Sequence, residues 1–256
     1  MGAATAAHQV EGNNTNSDCW AMEQMEYTAY AEPSLDAVDH YHRYEEDICL
    51  MEKAGMNAYR FSLEWARIEP KEGMFDEQEV EHYRKVIRCC KEHGIEPIVT
   101  LYHFEMPIHL VTNYGSWTNR QVVDFYLKFC ETMFQSLNNK VKYWVTFNEM
   151  NHIDPQTEAS DIFTYIIAGL KYSEIEDKKQ TLAMIGYNMT VASCMAVELA
   201  RKINPENKVG CVFGIEPVYP VDCNPDNVLK AFQQMDRDFI KSMRCAMANF
   251  RSIKSK

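Results

Sequence analysis

The chain has 256 residues and a mass of 29.8 kDa, and its 37 acidic and 26 basic side chains give a formal net charge of −11. Hydrophobic residues make up 46% of it and charged residues 25%, which excludes a mainly disordered chain. The acidic balance argues against a nucleic-acid partner, because such proteins hold phosphates with clustered Lys and Arg. No run of 18 or more apolar residues occurs, so we expect no membrane partner either.

Nine cysteines are scattered along the chain without a metal-binding or disulfide spacing. An odd number of this kind is typical of reduced thiols, so we expect a cytoplasmic protein. The N-terminus lacks the basic start and long apolar stretch of a signal peptide. His40 and His42 stand two positions apart on a predicted helix and face different ways, which makes them a poor metal pair. We therefore predict no metal and no cofactor.

Short apolar runs alternate with long amphipathic segments. Helices are predicted from apolar positions three or four residues apart, and strands from short β-branched or aromatic runs. In chain order the pattern predicts a first strand that ends near His8, a helix from 39 that stops at Gly55, a strand over 57–62, a helix from 76 that stops at Gly94, a strand over 96–102, a helix over 119–137, a strand over 143–147, a helix over 178–203, a strand over 208–213 and a helix from 225. Residues 149–177 are predicted to form a long irregular connection with one helical stretch.

Strands that alternate with helices build a parallel sheet with right-handed crossovers. No composition shift or flexible linker divides the chain, so we predict one domain over residues 1–256. An open doubly wound sheet is the alternative, but the glycine-rich phosphate motifs typical of that fold do not occur here. The pattern favours a (β/α)8 barrel, in which the chemistry lies where each strand runs into the following loop.

Polar side chains with aromatic neighbours stand at the ends of the first four predicted strands. They are Gln9 after the first strand, Arg60 on the second, His103 and Phe104 after the third, and Asn148 and Glu149 after the fourth. Amide and imidazole donors beside flat aromatic faces suit sugar hydroxyls and ring C–H groups. The strand ends therefore predict a small-molecule site of this chemistry.

Four sequence blocks, in this order, closely resemble the strand motifs of family 1 glycoside hydrolases, the retaining β-glucosidase family. The blocks are AATAAHQVEG (3–12), YRFSLEWARI (59–68), TLYHFEMP (100–107) and WVTFNE (144–149). Gly210 and the segment 217–220 are similar to the family's fifth unit. The four blocks together are far more specific than any one alone, and the resemblance extends over essentially the whole chain.

The resemblance implies a role for each matching residue. Glu149 corresponds to the general acid/base, which protonates the leaving oxygen and then takes a proton from the attacking water. Asn148 matches the amide that holds the sugar 2-hydroxyl, and Arg60 matches the guanidinium that keeps the nucleophile carboxylate ionised. Gln9 and His103 match residues that bind hydroxyls of the same sugar ring.

Departures from the family pattern are as informative as the matches. Phe104 stands where the family usually has Trp and keeps a stacking surface for the substrate, Glu105 replaces a common Asp, and Met150 replaces a frequent Pro. A retaining enzyme also needs a nucleophile carboxylate, which this family carries in a Thr-Glu-Asn-Gly block on its seventh strand. That block is missing from this sequence, as are the segments of the sixth and eighth strands. The resemblance therefore implies no nucleophile in this chain.

Five predicted βα units in 256 residues average about 51 each, so eight would need about 410 residues. The fold class we predict is therefore α/β, an incomplete (β/α)8 barrel of about the first five units, truncated at both ends. By resemblance it is a retaining β-glycosidase for β-linked glucosides, galactosides or their 6-phosphates, and we expect little or no hydrolysis by this chain alone. The alternative is a non-catalytic sugar-binding or assembly module completed by a partner chain or a second copy. A fragment without selected function is the third hypothesis.

Overall fold

The computed structural model describes residues 1–26, 28, 30–153, 175–215 and 217–236. Within them one parallel sheet has the strand order β1–β2–β3–β4–β5, with the bounds Gly2–Ala4, Ala58–Ser62, Glu96–Tyr102, Tyr143–Asn148 and Lys208–Val212. Strands that follow one another along the chain also lie side by side in the sheet. At least one helix lies in each connection between them. This is the arrangement of the first five units of a (β/α) barrel.

The helices of the described residues are α1 (Ala7–Val10), α2 (Asp18–Glu23), α3 (His40–Lys53), α4 (Trp65–Ile68), α5 (Glu77–Glu92), α6 (Ile108–Tyr114), α7 (Gln121–Ser136) and α8 (Lys178–Ile203). Two 3-10 turns span Ser116–Thr118 and Met150–His152, and residues 225–236 are helical. The long helices and β2 to β5 lie within two residues of the predicted positions. The spacing does not predict α1, α2, α4 and α6, because helices of four to seven residues are too short to show an apolar period. Most of the predicted connection 149–177 lies outside the described residues.

Local signals explain where the two long N-terminal helices stop. Gly55 and Gly94 follow α3 and α5 with φ of +74° and +68°, the left-handed conformation that glycine adopts without a steric penalty. At the start of α5 the carboxylate of Asp76 accepts a hydrogen bond from the backbone N–H of Gln78 at 2.8 Å. Both helices are therefore bounded by residue types that the sequence shows directly.

An aromatic cluster fixes the carboxyl ends of β3 and β4. Its members are Tyr102, Trp117, Tyr126 and Phe147, all at most 1% exposed, with ring centroids 4.8 to 6.5 Å apart. The Tyr126 hydroxyl donates to the backbone oxygen of Thr146 at 2.7 Å, which ties α7 to β4. Aromatic side chains of this size contribute strongly to core stability. The cluster holds the strand ends after which His103 and Glu149 follow.

Among the described residues, α8 is the one helix long and apolar enough to cross a membrane. Its apolar face is buried, however, with Ile185, Met189 and Ala192 at 0% exposure. The hydroxyls of Thr146 and Ser193 lie 2.7 Å apart, joining this helix to β4. Asn188 donates from Nδ2 to the backbone oxygen of Trp117 at 2.8 Å. These are the contacts of a core helix that covers one face of a sheet.

Candidate active site

Arg60, on β2, connects three neighbouring strands at the carboxyl edge of the sheet. Its Nη2 donates to Oδ1 of Asn148 at 2.7 Å, and its Nε donates to Oγ1 of Thr100 at 2.9 Å. Burial lowers the pKa of the guanidinium, and the nearby carboxylate of Glu149 opposes that shift. Arginine stays cationic under these conditions. The structure therefore brings the predicted residues Arg60, Asn148 and Glu149 together.

Glu149 follows β4 in an uncommon backbone conformation. Its φ of +47° and ψ of +36° are left-handed, which costs an ordinary L-residue about 1–2 kcal/mol. Its backbone N–H donates to the oxygen of Val212 on β5 at 2.8 Å, and its side chain is 37% exposed. Asn148 beside it is buried. A strained residue with an accessible carboxylate, next to the half-buried cation of Arg60, can exchange protons with a bound molecule.

His103 and Phe104 follow β3 as a half-buried pair with ring centroids 5.0 Å apart. Burial lowers the pKa of His103 to about 4, and the charge of Arg60 acts in the same direction. The imidazole is therefore neutral near pH 7 and has one donor and one acceptor nitrogen. A neutral imidazole beside an aromatic ring is compatible with the predicted contacts to sugar hydroxyls and C–H groups.

Gln9 lies in α1, directly after β1, and its side chain is exposed. The strand before it pairs with β2 in a register that places Ala4 opposite Arg60. Among the described residues, no hydrogen bond or ion pair joins Gln9 to Arg60 or Asn148. Its place in the site therefore rests on its position at the strand end alone.

The sequence did not single out Thr100, which the structure places in the site. This residue is fully buried and accepts the hydrogen bond from Nε of Arg60. A hydroxyl in the middle of the otherwise apolar segment Pro97–Tyr102 is the one signal in the sequence that indicates such a contact.

A cluster of buried carboxyl groups, which the sequence analysis also missed, lies among the loops that follow β1, β2 and β3. Its members are Glu11, Asp18, Glu64 and Glu105, each at most 5% exposed. They accept hydrogen bonds from the Tyr83 hydroxyl, the backbone N–H of Met106, Nδ2 of Asn14 and the backbone N–H of His8, respectively, at 2.7 to 3.1 Å. These contacts join the loop that carries Gln9 to the loop that carries His103.

Burial is the main influence on the acidity of this carboxyl cluster. It raises the pKa of Glu11 to about 7 and that of Asp18 to about 7, and it raises the pKa of Glu64 and Glu105 well above the usual range. Arg67 is the cation beside the cluster, with Nε 3.4 Å from Oε2 of Glu11. The cluster therefore binds protons at a pH where isolated carboxyl groups are ionised.

Metal-binding and disulfide chemistry are not seen in the part of the chain that the structure describes. No group of three His, Cys, Asp or Glu side chains there is arranged to hold a metal ion. No disulfide joins its eight cysteines. The ring of His40, one of the two closely spaced histidines, contacts Asp47 at 2.6 Å and the Tyr59 hydroxyl at 3.1 Å.

The fold and the strand-end groups together define a class of protein. Acid/base catalysis on a sugar needs an accessible carboxylate, and groups that hold the sugar beside it. A parallel barrel presents both at the carboxyl ends of its strands. This combination is compatible with a (β/α)-barrel glycosidase.

Residues 1–245 match the family model of Glycosyl hydrolase family 1, so the chain belongs to that family. The 6-phospho-beta-glucosidase AscB of Escherichia coli (strain K12) is 40% identical over 208 residues, which cover 80% of this chain and 42% of AscB. The aryl-phospho-beta-D-glucosidase BglA of Bacillus subtilis (strain 168) is 37% identical over 253 residues, which cover 91% of this chain and 52% of BglA. The chain thus spans about half the length of these two curated relatives.

The fold comparison agrees with the family assignment. The crystal structure of the beta-glycosidase BGL167 matches with a TM-score of 0.78 and 33% identity, covering 94% of this chain and 61% of that one. The predicted family and the predicted incomplete barrel are confirmed by these matches.

Proposed function

We propose that this chain supplies the acid/base half of a retaining β-glycosidase site. The observation that carries the proposal is the hydrogen bond between Arg60 and Asn148, beside the accessible carboxylate of Glu149. In the proposed mechanism Glu149 gives a proton to the leaving oxygen and later takes one from the attacking water. Glu149 is thus the acid/base residue, and this half of the site uses neither a metal nor a cofactor.

The hydrogen bond from Arg60 also determines how Asn148 meets a substrate. Because Oδ1 of Asn148 accepts from Arg60, the amide is turned so that Nδ2 is its donor to a sugar hydroxyl. The cation of Arg60 is available to a second carboxylate contributed by the other half of the barrel. Gln9 and His103 would bind further hydroxyls of the same ring, and Phe104 would contact its C–H face.

The proposed substrates are β-linked glucosides, and their 6-phosphates in particular. Support comes from the relatives, since AscB is a 6-phospho-beta-glucosidase and BglA an aryl-phospho-beta-D-glucosidase. Galactosides belong to the same proposed class of substrate. We propose a cytoplasmic location, which the scattered cysteines support because thiols stay reduced there.

The purified chain alone is expected to show no hydrolysis of nitrophenyl β-glucoside or its 6-phosphate above that of Glu149→Gln. Retention requires a second carboxylate about 5–5.5 Å from the first, and the block that carries it in this family is missing from the sequence. Release of nitrophenolate measures the reaction directly. Turnover by the chain alone that disappears in Glu149→Gln would contradict this expectation.

A second candidate function is that of a non-catalytic sugar-binding or assembly module. One observation favours it: among the described residues, β5 pairs only with β4, and the chain after it exposes large apolar side chains. We call these the β5-side surface: Ile215, Tyr219, Val221, Leu229 and Phe232, which are 47% to 88% exposed. Several large apolar side chains left exposed in one segment of the chain favour an interaction site there. The expected occupant is a complementing chain or a second copy.

Self-association through the β5-side surface is tested by size-exclusion chromatography with light scattering. We expect the chain to elute as an associated species, and we expect Leu229→Asp and Phe232→Asp to shift it toward the monomer, since a charge there opposes apolar burial. Met74→Asp is the control, because Met74 is equally exposed at 62% but lies before α5. A monomer that all three substitutions leave unchanged would argue against the assembly function.

A further inference from the structure

The loop after β4 is held to β5 by a side chain as well as by the backbone. The last strand pair joins Asn148 to Val212, and Glu149 then donates its N–H to Val212. Beyond it, Nδ2 of Asn151 donates to the oxygen of Gly214 at 2.7 Å, and the N–H of Gly214 donates to Oδ1 of Asn151 at 3.1 Å. A carboxamide offers the same donor and acceptor as a peptide group. The pair therefore extends the β4–β5 ladder beyond the end of both strands.

Gly214 makes a second contribution to this contact. A Cβ atom at position 214 would overlap Nε2 of the His152 ring, so only glycine leaves room for the ring there. Nε2 of His152 in turn lies 3.6 Å from Oε2 of Glu149. The same ring nitrogen therefore lies close to both Gly214 and the Glu149 carboxylate.

The backbone of Glu149 explains why such support is needed. A left-handed conformation in a non-glycine residue persists only where the surrounding structure determines it. The bond to Val212 holds the turn on its N-terminal side, and the Asn151–Gly214 pair holds it two residues later. With both in place, the backbone that carries the Glu149 side chain is held on either side of the left-handed residue.

We propose that Asn151 is a positioning residue for the Glu149 carboxylate, acting through the peptide group of Gly214. That this placement of the carboxylate serves catalysis rests on the proposed function of Glu149. The positioning itself is a property of the loop, so it is measured without turnover, and a failure of the proposed hydrolase activity would leave this measurement unaffected.

The first test is amide hydrogen exchange on the full chain by NMR. In Asn151→Ala the Glu149 amide is expected to exchange about ten-fold faster, whereas Val99 and Leu101 in β3 keep their rates. Asn204→Ala is the matched control, because Asn204 also bridges two segments through its amide but lies at the C-terminal end of α8. Equal acceleration at Glu149 and in β3, or none at Glu149, overturns the proposal.

The second test reports on the carboxylate itself. With glutamate labelled by ¹³C at Cδ, and Glu149→Gln used for assignment, Asn151→Ala is expected to move the Glu149 resonance by more than its linewidth. The resonance of Glu64, which is buried among the loops after β1 and β2, serves as the reference and is expected to stay in place. Asn151→Asp keeps the acceptor for the Gly214 N–H and is expected to restore part of the wild-type position. An unmoved Glu149 resonance in both variants contradicts the proposal.

Discussion

The free energy of unfolding of this chain is expected to fall as the pH rises from about 4 to about 7. Four buried carboxyl groups with a raised pKa act in this direction, and they outnumber His82 and His103, whose pKa burial lowers to about 4 and which act in the opposite direction. The cause is the buried carboxyl cluster, in which burial raises the pKa of Glu11 and Asp18 from 4.5 and 3.8 to about 7. Each unit of difference in pKa between the folded and unfolded states is worth about 1.4 kcal/mol.

The direction follows from which state binds the protons. Between pH 4 and 7 the folded chain keeps its carboxyl protons and the unfolded chain loses them, so raising the pH favours unfolding. The contribution is fully present below the ordinary carboxyl pKa and is lost as the pH rises through the raised value. Urea unfolding at intervals of pH measures it. Stability that is constant or rises over this range would contradict the expectation.

Single substitutions separate the cluster from other buried carboxyl groups. Asp18→Asn keeps an acceptor for the N–H groups of Cys19 and Met106, but its amide has no proton to lose. The free energy of unfolding of this variant should therefore fall less as the pH rises. Glu69→Gln is the matched control. Glu69 is also buried, but it accepts hydrogen bonds on both oxygens, from Trp65 and Gly73, and lies outside the cluster. Glu69→Gln should lower the free energy of unfolding at every pH and leave its change with pH as in the unsubstituted chain.

In a completed barrel, Glu149→Gln is expected to lower the turnover of a β-glucoside with an alkyl leaving group by about 10²–10⁴-fold. An amide cannot give up a proton to the leaving oxygen or take one from water. For a dinitrophenyl β-glucoside the first step needs no proton, so its rate should fall much less. Comparison of single-turnover rates for the two substrates measures the difference. Equal losses for both substrates would contradict the acid/base role.

The main elements of the fold were predictable from the sequence because their signals are local. α3 and α5 show apolar positions at helical spacing and end at glycine, and β3 is a short apolar run after a proline. The four short helices carry no such period, so the spacing could not reveal them. The parallel order of the strands follows from the helices in the crossovers.

The residues of the candidate site at the strand ends could be predicted from the sequence. The hydrogen bonds between its loops could not. Arg60, Asn148 and Glu149 stand in blocks that share one family pattern, and they meet because parallel strands end at one edge. The hydrogen bond between Asn151 and Gly214 joins residues 63 positions apart. The contact of Glu105 with the backbone of His8 joins residues 97 positions apart. Neither pair has a repeating spacing, so only the folded chain shows them.

The most direct test of the proposed function is the reaction of this chain together with a separately supplied second half of a barrel. The chain is mixed with the C-terminal part of BglA, beyond its match, and hydrolysis of nitrophenyl β-glucoside 6-phosphate is measured. We predict turnover by the complex, none by either part alone, and loss of about 10²-fold or more when this chain carries Glu149→Gln. A complex that hydrolyses the substrate equally well with Glu149→Gln would contradict the assignment of Glu149 as the acid/base.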